Sequence, residues 1–255
     1  MNTTPERPAL RRFYKDVTVA PVAGGHTVLL DGRPVQTPKR LPLSVPVAAL
    51  AAIIRDEWSA QQQVVRPASM PVTAIACTAI DLVRGDRERT VGELSDFAET
   101  ELLCYRAAEP PELAARQQAL WQPLLDWASL SLDAPLQVTS GIAPLEQPED
   151  AVNALRRAVA GLDDFSLAAL ATAVRTSGSL IIGLALAEGR LSASEAFEAA
   201  ELDETYNIER WGEDPLAAER RQFLRVDLEA AAAALAALRT AAEGPIRTSG
   251  GTDPG

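Results

Sequence analysis

The sequence holds a single histidine, His26, and only two cysteines, Cys77 and Cys104. These scarcities close off several chemistries. A Ser–His–Asp or Cys–His relay would have to use His26, which lies in a β-prone stretch after Gly24-Gly25 and reads as a hairpin-edge residue. Structural zinc needs four good ligands, and one His with two separated Cys does not supply them. No phosphate-cradling GxxxxGK[ST] loop occurs, and no GxGxxG follows a strand, so neither a cofactor nor a metal is expected. Cationic excess is also missing. The formal net charge is −11, which argues against a nucleic-acid partner, because neutralising phosphates needs clustered Lys and Arg. The opening residues MNTTPERPALRRF lack the apolar centre of a signal peptide, and their Glu and Pro count against a cleaved transit peptide. A cytoplasmic, reducing setting is therefore expected, with both thiols free and buried in apolar helical patterns.

A long apolar run without charge is absent as well. Leu167 to Ala187 is long enough to span a bilayer but contains Arg175 and the polar run Thr176-Ser177-Gly178-Ser179. It reads instead as a helix at the centre of a soluble bundle. Gly178, Ser179 and Gly183 would let a neighbouring helix come close.

What is present is ordinary for a globular protein of 255 residues: 47% hydrophobic and 23% charged, enough for a substantial core in one or two domains. The charge is uneven. Residues 1–55 carry eight Lys and Arg against Glu6, Asp16 and Asp31, whereas the remainder has 16 basic and 32 acidic residues. A cationic N-terminal module adjoins an anionic remainder, and part of that asymmetry is expected to hold the two together.

The N-terminal module reads as strands followed by helices. Phe13 to Ala20 is β-prone, Pro21 to Gly25 turns, His26 to Leu30 alternates, and Asp31-Gly32 marks a hairpin. Arg33 to Pro38 holds two prolines and belongs near an edge. A helix is expected from Val47 to about Gln61 with the stripe Leu50, Ile53, Ile54 and Trp58, and another from Pro71 through Leu82. From Arg87 onward the signals are helical: Thr90–Arg106, Glu112–Leu130, 150–160, 166–188, 192–211, and a last helix from Asp214-Pro215 to about Thr240. The stretch Leu132 to Asp150, with three prolines, is the longest loop. The fold class is α+β: a small β-rich N-terminal module (1–86), an all-α orthogonal helical bundle (87–241) and a disordered tail (242–255).

The segment Glu201 to Pro215, ELDETYNIERWGEDP, places carboxylates where a helix should be oily. At 100° per residue, Phe197, Ala200, Ile208 and Trp211 share one face with Glu201 and Glu204. A buried carboxylate without a partner costs several kcal/mol. Either these acids meet an internal Arg, with Arg175 the obvious donor, or the face stays open to another molecule. Acid–base work by Glu201 and Glu204 in a cleft, as in a hydrolase or isomerase, is the competing reading; a passive self-assembling scaffold is a third. For Trp58, Trp121, Trp127 and Trp211 core packing is the default, and an exposed one would be a natural hot spot for protein binding.

An ordered set of segments resembles one family: the chaperones that assemble the catalytic sector of the F-type ATP synthase by holding its alpha subunit. The segments are RRFYKDV (Arg11–Val17), LDGRPVQTP (Leu30–Pro38), EWSAQ (Glu57–Gln61), MPVTAIACTAID (Met70–Asp81), LLCYRA (Leu102–Ala107), PLLDWA (Pro123–Ala128) and the stretch ending in WGED (Trp211–Asp214). They cover nearly the whole chain. Where eukaryotic members carry a His-Asp pair after the Trp-Gly, this chain has Pro215-Leu216-Ala217-Ala218-Glu219, which resembles the bacterial, alphaproteobacterial form. The resemblance implies an ATP-independent chaperone without enzymatic activity, working as a monomer. It would bind the free alpha subunit, shield the surface destined for the beta subunit, and release it into the hexamer. It also implies partner-binding roles for Glu201, Glu204, Tyr206, Glu209, Trp211 and Asp214, with Trp58 in the N-terminal module. Glu209 lies about 100° from the Glu201/Glu204 arc.

Overall fold

The computed structural model describes residues 10–141 and 143–242. The expected disordered tail therefore falls, but for residue 242, outside the described residues. The architecture is a β-rich N-terminal region followed by an α-helical bundle.

Strand β1 (Val17–Val22) pairs antiparallel with β2 (Gly25–Leu30) in the register Val17↔Leu30 and Val19↔Val28. Gly24 at φ +78 and Gly25 make the turn between them, a conformation that side chains with a Cβ rarely adopt. A Cβ on Gly25 would also stand 2.2 Å from the Val45 carbonyl oxygen. The short β3 (Arg33–Pro34) and β4 (Ser44–Val45) both pair with β2. β2 is thus the central strand, so His26, opposite Pro21 on one side and Val45 on the other, is not an edge residue. Pro34 lies within β3, and the pairing with β2 continues past it through the Val35 amide, which donates to the Val28 carbonyl at 2.9 Å.

Helix α1 (Ala48–Ser59) buries Leu50, Ala51 and Ile54 against the sheet. Tyr14 locks its end, its hydroxyl donating to the Trp58 carbonyl at 2.8 Å. Helix α2 (Pro71–Thr78) runs into a wider π turn, Ala79–Val83, where a regular helix was expected. That turn carries Asp81, whose carboxylate accepts from the Thr37 hydroxyl at 2.6 Å and the Lys39 amide at 3.0 Å. Bonding to the β-region supplies a reason for the bulge.

The expected helix Thr90–Arg106 is not continuous. Helix α3 (Arg87–Ser95) tightens into a 3₁₀ turn at Asp96–Ala98; a second turn, Leu102–Cys104, leads to β5 (Tyr105–Arg106). The cause is Glu101, fully buried. Its carboxylate accepts from the Ser179 hydroxyl, from the Leu180 amide at 2.9 Å and the Ile181 amide at 3.3 Å, and from the Leu103 amide at 3.2 Å. Helix α4 (Pro111–Ser131) follows, and within the long loop β6 (Thr139–Ser140) pairs parallel with β5.

Helix α5 (Glu149–Ala160) precedes the apolar segment, which is two helices instead of one: α6 (Asp164–Ser177) and α7 (Leu180–Ala187). Gly178 at φ +72 ends α6 in the left-handed conformation, and Ser179 caps α7 by accepting from the Ile182 amide. The anticipated close approach is present. A Cβ on Gly183 would stand 2.5 Å from Val174 Cγ2 across the α6–α7 contact. No helix among the described residues is long and apolar enough to cross a membrane.

Helices α8 (Ala193–Ala200), α9 (Leu202–Trp211) and α10 (Pro215–Ala242) complete the bundle. α10 packs along α6 and α8 and also touches α1 and α2, so one continuous hydrophobic cluster runs from the sheet through the bundle. Cys104 is buried and Cys77 half-buried, both free. Burial pushes the Cys104 thiol up to about 12 and the Cys77 thiol, with Asp81 nearby, up to about 11.

Candidate functional site

The expected single helix 192–211 breaks at Glu201, which has φ −104 and ψ 20 and is at once the C-cap of α8 and the N-cap of α9. The break undoes the projected arc. Phe197 is buried, whereas Trp211 is 84% exposed, so the two do not share a face. Glu201 is only 7% exposed and is paired, but not with Arg175, which instead bonds Glu93 at 2.8 Å. Its partners come from α10: Arg221 Nη1 lies 3.3 Å from Oε2, and Arg220 3.9 Å from Oε1. Arg221 also donates to the Thr205 hydroxyl, approaches Glu213 at 3.3 Å and lies over the Phe197 ring. One guanidinium thus ties α8, α9 and the α9–α10 turn to α10. With Glu201 held in this way, no free Glu201/Glu204 carboxylate pair is available for acid–base work; Glu204 is half-buried one turn further on.

Around this strut the other expected residues take different positions. Tyr206 is buried between Arg116 and Arg210, whose guanidinium carbons lie 5.3 and 4.4 Å from its ring centre. Such cation–π contacts fix the ring. Glu209 is exposed and pairs with Arg116 at 2.7 Å. Asp214 is exposed and caps α10, accepting from the Leu216 and Ala217 amides at 2.8 and 3.0 Å. Trp58 belongs elsewhere, half-buried against Tyr14 at 5.7 Å between ring centres in the N-terminal region. Trp121 is core, its indole donating to the Ala199 carbonyl.

Three residues turn the corner into an apolar surface. Besides Trp211, Leu216 is 77% and Phe223 57% exposed. Leu216 and Phe223 are seven residues apart, nearly two full turns, and so occupy one face of α10 roughly 10 Å apart. Glu209, Glu213, Asp214 and Glu219 in the same stretch are exposed, as are Arg210 and Arg220. The sequence reading missed Leu216 and Phe223. The signal was there, since a seven-residue apolar spacing after Asp-Pro can be read once the start of α10 is known. It also missed Arg221, because the partner of Glu201 was sought in the preceding apolar helix.

Large apolar side chains left in solvent among charged residues make this corner a candidate protein-binding surface. Among the described residues, no group of three or more His, Cys, Asp or Glu could hold a metal. The family model for the ATP12 chaperone protein matches residues 11–129. The chain is 39% identical to Atp12 from Paracoccus denitrificans, whose crystal structure superposes with a TM-score of 0.84 over 89% of this chain and 98% of that one. It is 44% identical to the Atu1473 protein of Agrobacterium tumefaciens, with a TM-score of 0.87 over 91% and 88% of the two chains. Protein atp12, mitochondrial, of Schizosaccharomyces pombe is 26% identical over 218 residues, 81% of this chain and 75% of that protein. The chain belongs to the ATP12 chaperone family, and its function is that of an assembly chaperone for the alpha subunit of the ATP synthase.

Proposed function

We propose that the chain binds the free alpha subunit of the F-type ATP synthase directly, through the corner between α9 and α10. Trp211, Leu216 and Phe223 make the apolar contact, and Glu209, Glu213, Asp214 and Glu219 supply the charged rim. The observation that carries the reading is an indole left almost wholly in solvent, with the exposed Leu216 and Phe223 following it in the chain. Exposed aromatic anchors with a polar surround are the usual energetic centre of a protein interface. The carboxylates keep two copies of the patch from adhering to each other, so the chaperone stays monomeric and soluble while unoccupied. Glu201 and Tyr206 act from below, as positioning residues that hold the corner in shape.

In this reading the protein works by covering a surface, without bond-making, nucleotide or cofactor, in the bacterial cytoplasm. The test is suppression of light scattering by refolding alpha subunit. Trp211→Ser combined with Leu216→Ser is expected to abolish protection while leaving the melting temperature within about 2 °C, since both residues are exposed. Full protection by that variant would overturn the assignment of the surface.

A further inference from the structure

The N-terminal region carries a second open apolar feature. A groove of about 610 Å³ runs between the 35–39 segment and the helical stretch 67–82. Leu10, Trp58, Met70, Ala74, Cys77 and Leu82 give it an apolar lining, and Leu10 and Leu82 are exposed large hydrophobics. Its size is that of sites that accept several side chains.

The charge beside it is mainly basic. Lys39 and Asp81 line the groove, the Lys39 ammonium donating to the Asp81 carbonyl oxygen at 2.7 Å, and Arg40, Arg66 and Arg11 are the chain neighbours of the lining residues Lys39, Pro67 and Leu10. Arg11, Arg40 and Arg66 are exposed, and among the described residues none of these four cations has a carboxylate within 4.0 Å. The two nearby acids are engaged. Asp81 accepts from Thr37 and Lys39, and Glu57 accepts from the Val72 and Thr73 amides at 2.7 Å each. In a molecule of net charge −11, an apolar groove flanked by three exposed arginines without a carboxylate partner is a local inversion. Its complement is an apolar segment flanked by carboxylates.

We infer that this groove docks such a segment, an apolar stretch with acidic flanks presented by the client, as a contact separate from the α9–α10 corner. The inference rests on the chaperone reading for the identity of the client, but not for the chemistry of the groove. The apolar floor supplies affinity, and the rim selects for acidic flanks and repels basic ones.

The test uses the full chain and two labelled synthetic peptides with the same Leu/Val centre, one flanked by Glu and one by Lys, followed by fluorescence anisotropy. The Glu-flanked peptide is expected to bind about 10-fold more tightly at low salt, with the preference shrinking at 0.5 M salt as the rim is screened. Ala74→Trp, at an exposed position on α2, fills the groove and is expected to weaken binding about 10-fold without changing the melting temperature. Arg66→Glu reduces the preference for acidic flanks. Equal binding of the two peptides, binding unaffected by Ala74→Trp, or no binding of either peptide would overturn the proposal. So would concentration-dependent dimerisation in sedimentation that Ala74→Trp removes, because a second copy would then be the occupant. Loss of client protection in Trp211→Ser/Leu216→Ser with peptide binding intact, and the converse for Ala74→Trp, separate the two surfaces.

Discussion

Replacing Arg221 by Ala tests whether the α9–α10 corner is held by an internal ion pair. Arg221 is nearly buried and reaches Glu201 at 3.3 Å, the Thr205 hydroxyl at 3.1 Å and Glu213 at 3.3 Å. Removing it leaves the Glu201 carboxylate buried, with only the distant contact to Arg220 at 3.9 Å. Breaking a buried pair from one side costs about 3–5 kcal/mol. The residual Arg220 places the expected loss at the lower end, about 3 kcal/mol, or a fall in melting temperature of roughly 6–12 °C for a chain of this size. Glu201→Ala strands a guanidinium that still has Glu213, so its cost should be smaller. The double variant removes both charges and should recover about 2 kcal/mol relative to the sum of the singles. Arg221→Lys keeps the charge but loses the fork and the stacking on Phe197, and should fall between wild type and Ala. Urea denaturation of the four proteins, followed by circular dichroism, gives the cycle. A loss below about 1 kcal/mol for Arg221→Ala, or strict additivity in the double, would show that the pair is not what holds the corner.

Three further outcomes follow from other parts of the fold. Burial pushes the Glu101 carboxyl up to about 7, against about 4.3 in an unfolded chain. The native state therefore binds a proton more readily between those values. The contribution of this group to stability is greatest below about pH 4.3 and declines as pH rises towards 7; Glu101→Gln should flatten that part of a stability–pH profile measured by urea titration. Gly183→Ala puts a methyl 2.5 Å from Val174 Cγ2 and 3.1 Å from Leu170 Cδ1, and should cost about 1–3 kcal/mol by overpacking, read as a lower melting temperature. Asp214→Ala removes the cap of α10 and should cost about 1 kcal/mol, whereas Asp214→Asn should cost much less.

Periodicity and turn chemistry made much of the fold legible before any coordinates. The β1–β2 hairpin, α1, α4, α5 and the Asp214-Pro215 start of α10 all lie close to where local signals put them, because in each the local preference and the tertiary requirement agree. The failures share a cause. At Glu101, at Gly178-Ser179 and at Glu201 a helical pattern runs on in sequence while the chain bends in space. At two of the three the bend is fixed by a side chain reaching a distant element: Glu101 to the start of α7, and Glu201 to α10. Such long-range bonds leave no periodic trace. The candidate site was legible in part. The weight placed on Glu201 to Asp214 fell on the α9–α10 corner, but the split between buried and exposed residues there depends on the break at Glu201, which a continuous helical projection hides.

That split governs how charge changes in this region should be understood. Glu201 and Glu209 lie on one short stretch, yet one is buried against α10 and the other stands in solvent bonded to Arg116. Charge reversal at Glu201 would set a cation against Arg221 in a low-dielectric setting, where like charges repel far more strongly than in water. The corner would open, and Trp211, Leu216 and Phe223 would lose their fixed relation whether or not any client touches residue 201. Reversal at Glu219 would instead leave the bundle nearly as stable and alter only the field that an approaching partner meets. The same loss of binding thus has two origins, separable by melting temperature and by salt dependence. A functional defect at a carboxylate of α9 becomes evidence for direct contact only when the fold beneath it has been shown to be intact.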